Sequence, residues 1–208
     1  MSSVCITYDD ANFPLDDFFV QTTVNNTLRE ILYAWQDNGL AGSHPITTGG
    51  FSGSVPGGNP TFSGTQYTYS IGGSGTSFHV TGELYYYFAG VSQPAVPGAT
   101  DHTLYGRIDS ITIGAGTDSG GVTDQAITFD FSCDPIYGAL LDGRTNDVHD
   151  AIWGLMNGSV TGATDGLLTV STGGLIDRLE DRDIDVDDVF ATIVGAPCGC
   201  DSELLLAA

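Results

Sequence analysis

Apolar positions change period twice along this chain. Val24, Leu28, Ile31, Leu32 and Trp35 recur at helical spacing. They predict an amphipathic helix over 23–35, capped at its start by Thr22 or Thr23 and stopped by Asp37-Asn38-Gly39. Residues 5–8 ahead of it form a short strand candidate, closed by Asp9-Asp10. From Thr61 the period falls to two. The stretches 66–71, 77–88, 103–113 and 126–131 alternate, or run β-branched and aromatic, with glycine turns between them. After Asp134-Pro135 the helical period returns. It predicts helices over 147–157 (Val148, Ile152, Leu155, Met156), 174–180 (Leu175, Ile176, Leu179) and 186–194 (Val186, Val189, Phe190, Ile193). Asp181, Asp183, Asp185, Asp187 and Asp188 suit the positive N-terminal end of the last one.

Four successive strands without intervening helices imply antiparallel pairing. The order of one helix, then strands, then helices reads as an α+β fold. It is a single domain, an antiparallel sheet with helices packed on one face. A Gly/Ser/Thr/Pro-rich loop over 40–59 carries His44 and Pro45. Structureless loops of that length are functional or disordered.

Charge narrows the function classes. The 208 residues hold 26 acids against five arginines and no lysine, a net charge of −21. Such a surface repels nucleic acid and anionic membranes, which are bound through neutralised phosphates. No apolar run approaches the roughly 18 residues needed to span a bilayer, so no membrane insertion is expected. The opening MSSVCITYDD lacks the basic and apolar regions of a cleavable secretory signal.

Several candidate motifs dissolve on inspection. Thr117-Asp118-Ser119-Gly120-Gly121 has the look of a serine-protease nucleophile segment, but no suitable histidine segment lies upstream, and a hairpin turn is the better reading. DRDIDVDD (181–188) lacks the Gly and Glu that a calcium loop needs at its sixth and twelfth positions. His149 shares a helix with Trp153, and His79 lies inside a strand; both read as structural. Cys198 and Cys200 are too close to pair comfortably and have no second metal-binding pair. Cys5 and Cys133 could form a bridge if their strands are neighbours, or remain buried thiols.

One stretch is left, GELYYYFAGVSQPAVPGATDHTLYG (82–106). Tyrosines 85–87 close a strand, a Pro/Gly-rich loop departs, and the chain returns at His102. Phenol and imidazole could then stand face to face, as a ligand with its partner or as a satisfied surface pair. Here the sequence resembles a known family. HTLYGRIDSITIGAGTDSGG, GLMNGS, the terminal ELLLAA, TGGF after a His-bearing loop and GELYYYF before HTLYG are all similar to the secreted haem-acquisition hemophores of the HasA type.

The resemblance implies haem held between two loops at one edge of the α+β wall. The family's tyrosine ligand, two residues after the Leu of Gly-x-Leu-x-Tyr, falls on Tyr86. The histidine that hydrogen-bonds it opens HTLYG and falls on His102, and the opposing axial histidine, from the loop after the first helix, falls on His44. The implied cargo is ferric haem b and the implied partners are an outer-membrane haem receptor and an ABC-type secretion apparatus. ELLLAA would be the export signal, dividing the chain into a haem-binding domain (1–197) and a tail (198–208) and placing the protein outside the cell. The implied role is a carrier, not an enzyme. The rival reading is a non-haem extracellular β-rich binding or adhesion module.

The chemistry agrees. A free phenol (pKa ~10) is a poor iron ligand at neutral pH, whereas one that gives its proton to a neutral imidazole becomes a hard anionic donor suited to Fe(III). Protonating His102 would weaken the bond and open a route to release. Tyr85 and Tyr87 should face away from Tyr86. The sixteen-residue separation of Tyr86 and His102, more than the family uses, requires the insertion VSQPAVPGAT (91–100) to bulge outward.

Overall fold

The computed structural model describes residues 3–13, 22–38, 50–71, 75–164, 170–196 and 199. Among these residues seven strands form one antiparallel sheet: β1 Cys5–Tyr8, β2 Phe51–Ser52, β3 Ser63–Ser70, β4 Thr76–Tyr87, β5 Thr103–Asp118, β6 Gly121–Asp130 and β7 Ile136–Gly138. Their order is β1-β6-β5-β4-β3-β2, with β7 pairing the start of β5. The helices are α1 Leu28–Asp37, α2 Asp147–Met156, α3 Gly174–Glu180 and α4 Phe190–Ile193, with a 3-10 segment Leu140–Thr145 ahead of α2. The α+β domain expected from the pattern is present. None of the helices among the described residues is long and apolar enough to cross a membrane.

The core lies between the sheet and the helices. Leu28, Ile31, Leu32 and Trp35 of α1 are fully buried, as are Val148, Ala151, Ile152 and Leu155 of α2. They meet Phe78, Val80 and Leu84 of β4, Ile108, Ile111 and Ile113 of β5, and Ile127 and Phe129 of β6 in one cluster. Each such Val, Leu, Ile or Phe side chain contributes about 1.5–3 kcal/mol on burial. Trp35 also donates its indole N–H to Gly114 O at 3.4 Å, tying helix to sheet.

Strict alternation along β5 would put Ile108 and Ile111 on opposite faces. A register shift resolves this: Thr81 pairs with Ser110 and Gly82 with Ile108, which leaves Asp109 without a partner on β4. This one-residue bulge resets the parity and turns both isoleucines inward.

Two helix boundaries differ from expectation. α1 starts at Leu28, because Thr27 and Glu30 form a reciprocal capping box; Thr23 instead binds Asn26 in the turn before it. The helix expected over 186–194 shrinks to α4. The carbonyls of Val186 and Asp188 accept the N–H groups of Arg29 and Leu28, so they are unavailable for a helix of their own. The acids there serve α1: Arg29 pairs with Asp187 at 2.6 Å and Glu180 at 2.7 Å.

The 117–121 stretch is the predicted hairpin turn, with Asp118 paired to Gly121. Cys5 and Cys133 are both disulfide-bonded, so neither is a free buried thiol. Cys198, Cys200 and ELLLAA lie outside the described residues.

Candidate functional site

β4 and β5 pair without interruption from Gly82↔Ile108 to Tyr87↔Thr103, so the end of one strand and the start of the other share an edge. Tyr86 follows Leu84 on the core side of β4, and its half-buried ring packs against the core. Phe62 lies nearly parallel to that ring, with centroids 6.2 Å apart, and its carbonyl accepts the Tyr86 N–H at 2.7 Å.

The chain returns to the sheet at His102, whose backbone sits in the left-handed region at φ 63°. That conformation is uncommon for a residue with a Cβ and costs of order 1–3 kcal/mol. It is held by the His102 N–H donating to Tyr87 O at 2.8 Å. Phe88 packs on the imidazole at 4.7 Å between centroids. The outcome is a short hydrogen bond between Tyr86 Oη and His102 Nδ1. With the ring proton on Nε2, the phenol donates and Nδ1 accepts. Tyr86 and His102, paired in the sequence only by resemblance, are therefore brought together.

The intervening residues do what that pairing requires. Val96 N–H donates to Tyr87 Oη at 2.8 Å, and Gln93 Nε2 donates to Tyr105 Oη at 3.2 Å. The insertion thus folds over the sheet face opposite Tyr86. Tyr85 and Tyr87 are on that face too: Tyr85 stacks on Tyr105 at 5.1 Å, and Tyr87 is buried.

Burial pushes the Tyr86 phenol above its ordinary range; Arg144 opposes the shift and Asp101 adds to it. Free Tyr86 therefore keeps its proton at neutral pH, and His102 is the group placed to take it. Neither Arg144 nor Asp101 announced itself in the sequence, since neither lies in a recognisable motif. Arg144 Nε donates to Asp101 O at 2.9 Å, and Asp101 Oδ1 accepts from Ala89 N–H at 2.7 Å. These bonds staple the loop that delivers His102.

His44 lies outside the described residues. The described residues resume at Gly50 and β2, where Phe51 packs on Tyr67 of β3 with centroids 4.9 Å apart. His79 and His149 are structural, as expected. His79 Nδ1 bonds Thr68 Oγ1 at 2.7 Å, and burial lowers its pKa. His149 stacks on Trp153 and accepts the Leu104 N–H.

The arrangement offers a phenol, a proton acceptor and two flanking aromatic rings. Comparisons with known proteins point the same way. The hemophore HasA of Serratia marcescens is 31% identical over 169 residues, covering 77% of this chain and 78% of that protein. The apo structure of the hemophore HasA of Yersinia pestis in its tetragonal form has a TM-score of 0.60 at 23% identity, covering 94% of this chain and 98% of its own. The holo structure from the same organism also gives 0.60 at 23% identity, with 91% and 95% covered. At that identity the two structures speak for the fold. The family model described as Heme-binding protein A (HasA) matches residues 2–208, and on that span the chain belongs to the HasA family.

Proposed function

We propose that the protein is a hemophore: an extracellular carrier that binds ferric haem b through Tyr86, with His44 as opposing axial ligand, and delivers it to an outer-membrane receptor. The observation that carries this is the hydrogen bond between Tyr86 Oη and His102 Nδ1 at the sheet edge. The donor set fits the cargo. Tyrosinate is a hard anion that favours Fe(III), and His102 can take the proton that coordination expels. Phe62 and Phe88 supply apolar surface beside the pair. Because the free Tyr86 pKa is raised, the phenol is protonated before uptake, and coordination moves its proton to His102 Nδ1. Acid that already protonates His102 leaves that proton no acceptor, so binding weakens as pH falls.

The direct test adds hemin to the purified protein and follows the Soret band and ferric EPR. A saturable one-to-one Soret change with a tyrosinate signature is expected. Absence of binding would defeat the reading and return the rival, a non-haem binding module. His44 is resolved in the same experiment. A strong-field imidazole opposite tyrosinate should give a substantial low-spin fraction, which His44→Ala removes. A wholly high-spin wild type whose spectrum superimposes on the variant would make His44 a loop residue, with Tyr86 alone on the iron.

Export is proposed to run through an ABC-type apparatus that reads the ELLLAA tail. Deleting residues 204–208 should leave folding and haem binding intact, as short termini with few contacts are cheap to remove. It should abolish secretion in a host carrying the matching exporter. Undiminished secretion of the truncated chain would sink the assignment.

A further inference from the structure

Tyr86 pairs with Leu104 across the β4–β5 ladder, and its N–H turns away from β5 to meet Phe62 O. In an antiparallel pair of this kind, Leu104 likewise turns its own N–H and C=O outward. Among the described residues no strand receives them there, because β7 joins β5 only from Gly106 onward. The first turn of α2 takes the strand's place. His149 Nδ1 accepts the Leu104 N–H at 3.1 Å, and Asn146 Nδ2 donates to Leu104 O at 2.9 Å. All three residues are buried. Asn146 also caps α2 by accepting the His149 N–H at 2.9 Å. Two residues before Leu104 stands His102, exposed and in its left-handed conformation.

We infer that His149 is a positioning residue for the Tyr86–His102 pair: it pins the start of β5 so that the His102 ring is held at the Tyr86 phenol. This rests on the haem reading for its functional meaning, but the geometry belongs to the free protein. As the acceptor, Nδ1 carries no proton, and stacking on Trp153 (5.8 Å, 17°) fixes the ring plane. Without that acceptor a buried N–H loses its partner, the first residues of β5 open more often, and the turn at His102 loses its anchor. The signal was invisible in the sequence, where His149 reads as one more residue on an amphipathic helix.

The test compares His149→Leu with His149→Asn, whose amide oxygen falls near the position of Nδ1. In the haem-free protein, amide exchange at Leu104 should accelerate by at least about tenfold in His149→Leu. The His102 Nδ1 resonance, which reports its bond to Tyr86, should move toward that of a solvated imidazole. Both should stay close to wild type in His149→Asn. In the ferric-haem complex, the pH of haem release in His149→Leu should move toward that of His102→Ala, again with recovery in His149→Asn.

A folded His149→Leu with wild-type His102 resonance and wild-type release would overturn the inference. If His149→Leu does not fold, His149→Gln decides, since its oxygen sits one carbon farther out and misses the Leu104 N–H. Identical behaviour of the Asn and Gln variants would then overturn it. If wild type takes up no haem, the haem reading fails on its own, and the haem-free measurements still decide the positioning role.

Discussion

Tyr86→Ala should cost more than about a hundredfold in ferric-haem affinity, beyond what loss of a ligand's hydrogen-bond partner alone costs. Tyr85→Phe and Tyr87→Phe should stay within about threefold, since on this reading neither hydroxyl bonds the iron. The three residues are consecutive and chemically identical, so the difference has to come from where each hydroxyl points. Tyr85 donates to Glu83 at 2.7 Å and lies 3.0 Å from Pro56 O. Burial first, and then the Glu83 carboxylate, push its pKa up to about 12. Tyr87 Oη is occupied by Val96 N–H on the same outer face. Tyr86 is the one of the three whose phenol meets an imidazole. Titration with hemin by Soret absorbance checks the series. Equal losses from Tyr86→Phe, Tyr85→Phe and Tyr87→Phe would mean an aromatic surface rather than a ligand. The phenylalanine variants matter, because Tyr87→Ala would also open a cavity at a position only 1% exposed.

How much of this was readable beforehand depended on whether a residue's role is local. β1, β3 to β6 and α2 follow from period, whereas β2 and β7, two and three residues long, are too short to show one; the 117–121 turn follows from its glycines. The start of α1 was also written locally, as Thr27-x-x-Glu30. It was obscured by Val24, which sits at helical spacing yet packs against the core from the preceding turn. The 186–194 stretch misled for a different reason. Its apolar spacing is helical, but its carbonyls are claimed by α1, some 160 residues earlier, and no local pattern records that. The bulge at Asp109 is similarly set by the ladder with β4. At the site, Tyr86 and His102 were legible only because GELYYYF and HTLYG resemble a known pattern. Phe62, Asp101, Arg144 and His149 act through contacts with distant segments, and nothing in their flanking residues marks them.

The glycine of HTLYG offers the sharpest stability test, because its role is steric. Gly106 sits at φ 118°, between Leu84 of β4 on one side and Gly138 of β7 on the other. A Cβ built there would lie 2.0 Å from Glu83 O and 3.2 Å from a Tyr85 ring carbon. The first is backbone in the middle of the ladder and cannot swing aside. Gly106→Ala must therefore either distort the β4–β5 pairing or hold alanine in a region it avoids, and a loss of about 3 kcal/mol is expected. Gly57→Ala is the control. Its φ is also positive, at 66°, but no heavy atom lies within 4 Å of the added carbon. Only the conformational cost remains there, about 1 kcal/mol. Urea unfolding should show a lower midpoint with unchanged slope for both variants, much lower for Gly106→Ala. Equal midpoints would mean that the strands relax around a side chain at 106. The close approach of β4 and β5 would then not be what holds Tyr86 and His102 in register.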